Sequence, residues 1–445
     1  MPLALLSLCV LSILSLVLPG DSSIRLAFHF NAARLSNWVR DATSDRDAWL
    51  REPASYPVNL RDDVGYLIKT GYGTRHRIPA QQEAFALTGG ILGAEGRSFM
   101  VVGDWTTAND TDARMLGVDV HDAIRLVMES DIGARMQDHH RFRKYRTLQE
   151  AVDVQDEAKA ERLGQSFGWE LDALKFIVGL ELIYRQMPNK KWYIILDDDT
   201  YLITPTLQLL LSHLDPREPQ YIGNAVGDFK GRFAHGGSGI LLSGEAVRRL
   251  FARPDVVARA YADSLDETWG DRLVATTLQK LGIYLDERYS HYFNGEPPEI
   301  TRIAPDRFCS PLLSFHGLRH AGAMQAVGRA LVNVDKPVLW SQLWRYFGTQ
   351  PVRLLVESRG GGEAENQDHV GPGDELVQVW ERVDTPAGCR TRCEASRRGC
   401  IAWTHDRDTR VCRASPWVVM GSGDAERKTS GVNWAKLAPL MQQCA

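Results

Sequence analysis

Three consecutive carboxylates, Asp197, Asp198 and Asp199, follow the aromatic and β-branched run W-Y-I-I-L at 192–196. That run predicts a short buried strand, with the acids on the loop leaving its carboxyl end. Open α/β sheets bind ligands at that end. Carboxylates one residue apart on an extended segment share a face, so Asp197 and Asp199 can together offer hard oxygen ligands to Mg²⁺ or Mn²⁺. An ion so held could neutralise a diphosphate. A solvated acidic turn would read the same in isolation, and the rest of the chain must decide between them.

Other residue sets could serve the same chemistry. The turn G-Y-G-T-R at 71–75 follows a predicted strand at 64–70, and its backbone amides could approach a phosphate that Arg75 or Arg77 would pair with. Alone, such a turn is ordinary. The run F-A-H-G-G-S-G at 233–239 puts three glycines within four residues before another apolar run, permitting close approaches that a Cβ would block; a plain bend is the alternative. Asp271 opens a predicted helix at 269–281, where a carboxylate is stabilised, and a simple N-cap is its structural alternative. His316 ends the apolar segment 309–315; taken alone, a single His is an ordinary core or surface residue.

Positioning these groups needs a sheet covered by helices. Apolar runs at 64–68, 98–102, 192–196, 221–222 and 240–242 read as strands, several closed by Asp, Asn or Gly. Helical character extends over 148–186, with apolar residues at helical spacing from Ala173 to Ile183. Strand, helix, strand with phosphate-type turns at the carboxyl ends predicts an α/β fold with a mostly parallel sheet. Residues 245–252 also read as a helix.

The chain has 445 residues, which at roughly 150 per domain suggests two or three domains. A hydrophobic content of 44% allows a full core, and the net charge of −4 gives no footprint for nucleic acid. Residues 3–18 are apolar apart from small polar Ser, intermediate between a signal-peptide core and a bilayer span of ~20 residues. Residues 1–20 are therefore expected to act as a signal anchor or signal peptide, and 21–60 as a stem. Of seven cysteines, Cys389, Cys393, Cys400, Cys412 and Cys444 crowd the tail, which predicts a disulfide-stapled module in an oxidising compartment. The glycine-rich stretch 357–374 reads as a linker to it. Asn109-Asp110-Thr111 is a glycosylation sequon.

Taken in order, the blocks I-K-T-G-Y-G-T-R, W-x-L-D-x-x-K (169–175), D-D-D-T-Y, F-A-H-G-G-S-G, W-G-D (269–271) and S-F-H-G (314–317) resemble the Fringe-like β1,3-glycosyltransferases of glycosyltransferase family 31. The core 1 β1,3-galactosyltransferase branch is the most similar in character. The resemblance spans residues 62 to 320 and implies a GT-A nucleotide-sugar-binding domain, expected over 61–345. It further implies Mn²⁺ (or Mg²⁺) on Asp197, Asp199 and His316, with Asp198 contributing only through surrounding contacts. Thr74, Arg75 and Lys175 would lie toward the nucleotide, Gly236 and Gly237 would line the cleft, and Asp271 would be the catalytic base. Relatives often carry a second acid where Gly270 stands.

The tail, 375–445, is similar to a PAN/apple-like module, and that resemblance implies the pairs Cys389–Cys412 and Cys393–Cys400. Counting then leaves Cys309 and Cys444 as a possible interdomain pair. The expected activity is inverting, metal-dependent transfer of a hexose, galactose from UDP-galactose first, in β1,3 linkage to a glycan or glycoprotein acceptor such as O-linked GalNAc. The alternatives are a Fringe-type UDP-GlcNAc transferase and a catalytically silent carbohydrate-binding protein. The expected location is the Golgi membrane, single-pass type II, or secretion after cleavage.

Overall fold

Two apolar runs from distant parts of the chain lie side by side at the centre of the structure. They are β1 (Val64–Lys69) and β4 (Trp192–Asp197), paired parallel in the register Val64 to Trp192 through Lys69 to Asp197. The computed structural model describes residues 17–43, 45–89, 99–106, 118–228, 231–348, 363–421 and 425–444. The sequon at 109–111, Cys9 and residues 1–16 of the apolar N-terminal run lie outside the described residues. Among those described, no helix is long and apolar enough to cross a membrane.

With β2 (Phe99–Gly103), β3 (Val120–Asp122), β5 (Tyr221–Gly223) and β6 (Ile240–Ser243) the central strands make a six-stranded sheet in the order β3-β2-β1-β4-β6-β5. The first four are mutually parallel; β6 runs antiparallel to both its neighbours. The fold is thus α/β with a mostly parallel sheet, and β1 and β4 are apolar without alternation because helices and loops cover them.

Helices precede, separate and follow these strands. α1 (Ser23–Thr43) lies in the region expected as a stem without pattern. It is docked at His29, whose imidazole stacks on Tyr284 with centroids 3.9 Å apart. Just beyond it, the Asp47 carboxylate accepts from His291 Nε2 (3.0 Å), Tyr292 Oη (2.6 Å) and Ser310 Oγ (2.5 Å). α2 (Ile78–Thr88) follows the phosphate-type turn. The stretch of helical character over 148–186 resolves into two helices, His140–Asp153 and α3 (Glu157–Gln186). The break comes at Gln155, with φ at 57°, and Asp156, whose side chain accepts from Lys159 N and caps α3. α3 packs on β1, β2 and α4 (Gly270–Gln279).

The tail builds a second, antiparallel sheet from β7 (Glu363–Glu365), β8 (Gln378–Trp380), β9 (Ala402–Asp406), β10 (Val411–Ser415) and β11 (Lys428–Val432), ordered β7-β11-β9-β10-β8. β7 falls inside the stretch read as linker: its short polar sequence carries no strand signal, and pairing to β11 supplies the order. Disulfides join Cys389 to Cys412, Cys393 to Cys400 and Cys309 to Cys444. The first two staple α5 (Pro386–Ala395) to its sheet. The third ties α6 (Trp434–Gln443) back to the large body, where Ile401, Val418, Met420, Val432 and Leu437 join the main core.

Candidate functional site

The acidic triplet leaves β4 at the carboxyl edge, as its position after a buried strand requires. His316 reaches it through a second, short pairing: Ser314–Phe315 runs antiparallel to Tyr201–Leu202, with Phe315 opposite Tyr201. Its Nε2 lies 3.2 Å from Asp199 Oδ1 and 3.9 Å from Asp197 Oδ2. One ligand atom from each of the three residues falls within 4.8 Å of the others. Two carboxylates and an imidazole in that space fit a hard or borderline divalent ion. Burial alone would lower the His316 imidazole, but the Asp199 hydrogen bond and both carboxylate charges hold it above its ordinary value. This corner favours positive charge.

Asp198 points the other way. Its carboxylate accepts from Thr70 Oγ1 (2.7 Å), Thr74 Oγ1 (2.6 Å) and Arg77 Nη1 (3.0 Å). Burial pushes its pKa up to about 6, against the opposing Arg77 charge. Thr74 and Asp198 thus lock the phosphate-type turn to the acidic loop. Gln81 completes the lock, donating to the carbonyls of Asp197 and Thr200 at 2.8 Å each.

Of the two arginines near that turn, Arg77 faces the carboxylates, while Arg75 turns back. Its guanidinium lies over the Tyr72 ring and pairs with Glu157 and Glu161 on α3. Lys175 is also committed: its Nζ donates to Thr70 O (2.7 Å) and Asp104 Oδ2 (2.9 Å), tying α3 to the ends of β1 and β2. It lines the cleft beside the triplet, with its charge already balanced by Asp104.

Lys69, read above only as the end of a strand, is the cation nearest the site. The β1 to β4 register sets it opposite Asp197, and Nζ lies 2.7 Å from Asp197 Oδ1 and 3.1 Å from Asp172 Oδ2. It sits 3.7 Å over the Phe176 ring. Burial would lower its pKa, but the two carboxylates outweigh burial and raise it, so the ammonium stays charged. For Asp197, burial would raise the carboxyl and the Lys69 charge brings it below its ordinary range. A lone Lys closing an apolar strand was the available signal.

On the other side of this ion pair the glycine-rich run meets Asp271. The N-cap of α4 is Trp269, without a side-chain cap, so Asp271 is not the cap; it sits in the first turn and reaches across to the loop. Its Oδ2 accepts from Gly236 N and its Oδ1 from Arg272 N, both at 2.8 Å. Burial pushes its pKa up to about 6, with the Gly236 hydrogen bond opposing. A Cβ on Gly237 would strike the His316 imidazole, and one on Gly270 would strike the Phe176 ring. The second of these explains why no acidic side chain stands at 270: the ring that carries Lys69 fills its place.

Two clefts share the wall formed by Lys69, Trp169, Asp172 and Asp197. One, of about 290 Å³, runs along the phosphate-type turn and the acidic triplet past Arg319. The other, of about 520 Å³, is lined by Gly236, Gly237, Asp271, His235 and the exposed Trp269. The arrangement can hold an anionic group against a metal on one side of the wall and present a carboxylate base on the other.

Residues 173–286, from α3 past Asp271, match the Fringe-like family model. The chain is similar to human beta-1,3-glucosyltransferase, 32% identical over 112 residues, which are 24% of this chain and 21% of that protein. It is similar to human chondroitin sulfate glucuronyltransferase, 33% identical over 92 residues, or 20% of this chain and 12% of that protein. The chain therefore spans about a fifth or less of the length of these relatives. The matched segment holds Lys175, the acidic triplet, both cleft glycines and Asp271; Thr74, Arg75 and His316 lie outside it.

Proposed function

We propose that the protein is an inverting, metal-dependent glycosyltransferase that moves a hexose from a UDP-sugar in β1,3 linkage onto a glycan or glycoprotein acceptor. The observation that carries this reading is the Asp271 carboxylate, raised to about 6 by burial, facing a cleft divided by one wall from the Asp197, Asp199 and His316 cluster. Asp197, Asp199 and His316 would hold Mn²⁺ or Mg²⁺, which when bound supplies charge stabilisation to a departing diphosphate.

Asp271 accepts the proton of the acceptor hydroxyl at Oδ1 or Oδ2 as that oxygen bonds to the anomeric carbon. The bond from the anomeric carbon to UDP breaks on the opposite face, its electron pair leaving with the diphosphate. No protein nucleophile takes part, so an α-linked donor gives a β-linked product. Lys69 fixes Asp197, Thr74 and Asp198 fix the turn, and Arg77 and Arg319 supply positive charge at the nucleotide side.

Galactose is the first donor by the motif resemblance. Glucose is the second, favoured by the likeness to a protein named beta-1,3-glucosyltransferase. The three disulfides support a lumenal or extracellular site of action, and we read residues 1–20 as the means of entry, with Golgi membrane anchoring by that segment or secretion after its cleavage. The tail is read as a PAN/apple-like module. The test is a screen of UDP-galactose, UDP-glucose and UDP-GlcNAc against GalNAc, fucose and galactose glycosides, with Mn²⁺ and with excess EDTA. Transfer with Mn²⁺ that EDTA abolishes supports the reading; turnover undiminished in EDTA contradicts it.

A further inference from the structure

The disulfide between Cys309 and Cys444 is one of several bonds that set the tail against the large body. Ile303 and Val418 form a backbone bridge, Arg302 Nη1 pairs with Asp374 Oδ2 at 2.7 Å, and the Arg302 guanidinium lies 4.8 Å from the Trp417 ring centroid. Beside these contacts a cleft of about 690 Å³ opens between the two parts, within the size range of ligand sites. Ala304, Pro305 and Phe293 wall it from the body, Leu376, Pro416 and Trp417 from the tail. It shares Val226 and His235 with the Asp271 cleft, so the two lie next to each other.

We propose that this cleft receives the polypeptide part of a glycosylated acceptor while the acceptor sugar lies at Asp271. The inference rests on the reading of Asp271 as the base. The cleft's accessible wall is mainly carbon from proline, aliphatic and aromatic side chains, with Asn224, Asn294, Glu296 and Asp306 also lining it. A sugar-binding site would offer an open aromatic face, and here both indoles are buried, with Arg302 over Trp417 and Arg307 over Trp340. Leu376, which lines the cleft, is more than half exposed, and so is Val379 three residues further on. Val379 belongs to β8, an edge strand that pairs only with β10 among the described residues. An open edge beside an apolar cleft is what an extended peptide uses, through strand addition and side-chain pockets.

The test uses the full chain loaded with Mn²⁺ and UDP. Two fluorescent probes are titrated by anisotropy: a Thr-linked GalNAc glycopeptide flanked by proline and aliphatic residues, and GalNAc as a small aryl glycoside. Wild-type protein binds the glycopeptide about ten-fold or more tighter than the glycoside. Leu376→Asp, at an exposed site, and Ala304→Trp, which fills the cleft, each remove most of that preference and leave glycoside binding unchanged. Equal binding of both probes to wild type, a preference that survives both variants, or a peptide-free oligosaccharide that reproduces it would overturn the proposal. If the preference and its loss are seen but neither probe is glycosylated, the catalytic reading fails and the peptide cleft stands.

Discussion

Lys69 and Asp197 face each other across neighbouring parallel strands, with Nζ 2.7 Å from Oδ1, and this ion pair divides the candidate nucleotide side from the Asp271 side. The Lys69 side chain is 2% exposed, whereas Asp172 and Asp197 keep 36% and 29% of theirs in water. Removing the ammonium strands two carboxylates that solvent only partly compensates. Lys69→Met is expected to lower stability by about 1–3 kcal/mol, below the ~3–5 kcal/mol for breaking a fully buried pair because of that exposure. A denaturant midpoint equal to wild type would contradict this role.

Asp271 gives a pH signature. The base works only when ionised, so with its pKa raised to about 6, kcat/KM falls as pH drops through that value and is level above it. Asp271→Asn should cut turnover by about 10²- to 10⁴-fold. The stability sign is opposite to that of a salt-bridged acid. The folded state binds this proton more tightly than the unfolded chain, so keeping the group ionised above about pH 6 costs stability, and that cost fades as pH falls. Asp271→Asn at neutral pH removes that cost but can accept from only one of the Gly236 and Arg272 amides, so Tm should change little. A fall in Tm with near-normal turnover would mark Asp271 as structural.

Gly237 is where the metal cluster and the glycine-rich loop touch. Gly237→Ala drives a Cβ into the His316 imidazole and should displace it from Asp199. Mn²⁺ affinity, read by electron paramagnetic resonance, is expected to fall about ten-fold or more, the usual cost of disturbing a ligand's support, with the helical circular dichroism kept. Unchanged Mn²⁺ affinity would remove His316 from the ligand set.

The site was legible where its chemistry is local. Asp197 and Asp199 follow a strand of unmistakable composition, and the glycines at 236 and 237 announce a close approach. Residues brought in by long-range register were harder to read. His316 meets the triplet only because Phe315 pairs with Tyr201, and nothing near His316 in the chain encodes that. Lys69 was hidden by its own strand, since its partner lies on β4. The turn at 71–75 was visible, yet which arginine faces inward depends on α3, whose Glu157 and Glu161 draw Arg75 away. The role of Asp47 in the stem was equally hidden, because its partners His291 and Ser310 lie far along the chain. The crowding of cysteines in the tail announced a stapled module, but their pairing was implied only by the PAN/apple-like resemblance, since spacing alone leaves several connectivities open.

The bond between Cys309 and Cys444 closes 135 residues of chain. Replacing both by Ser should cost about 2–4 kcal/mol and leave the tail more open to proteolysis than the large body. The loss should appear as an earlier, separate unfolding step of the tail. One unchanged cooperative transition would show that the packing of α6 and Val418 suffices without it.

The account stands most directly on the stereochemistry of transfer. Proton NMR of the product formed by the wild-type protein from an α-linked UDP-hexose and an accepted glycoside, followed from the first turnovers, reads the configuration of the new bond. A single base at Asp271 with no protein nucleophile requires a β linkage from the earliest time points. A new α linkage would contradict direct displacement and with it the role assigned to Asp271.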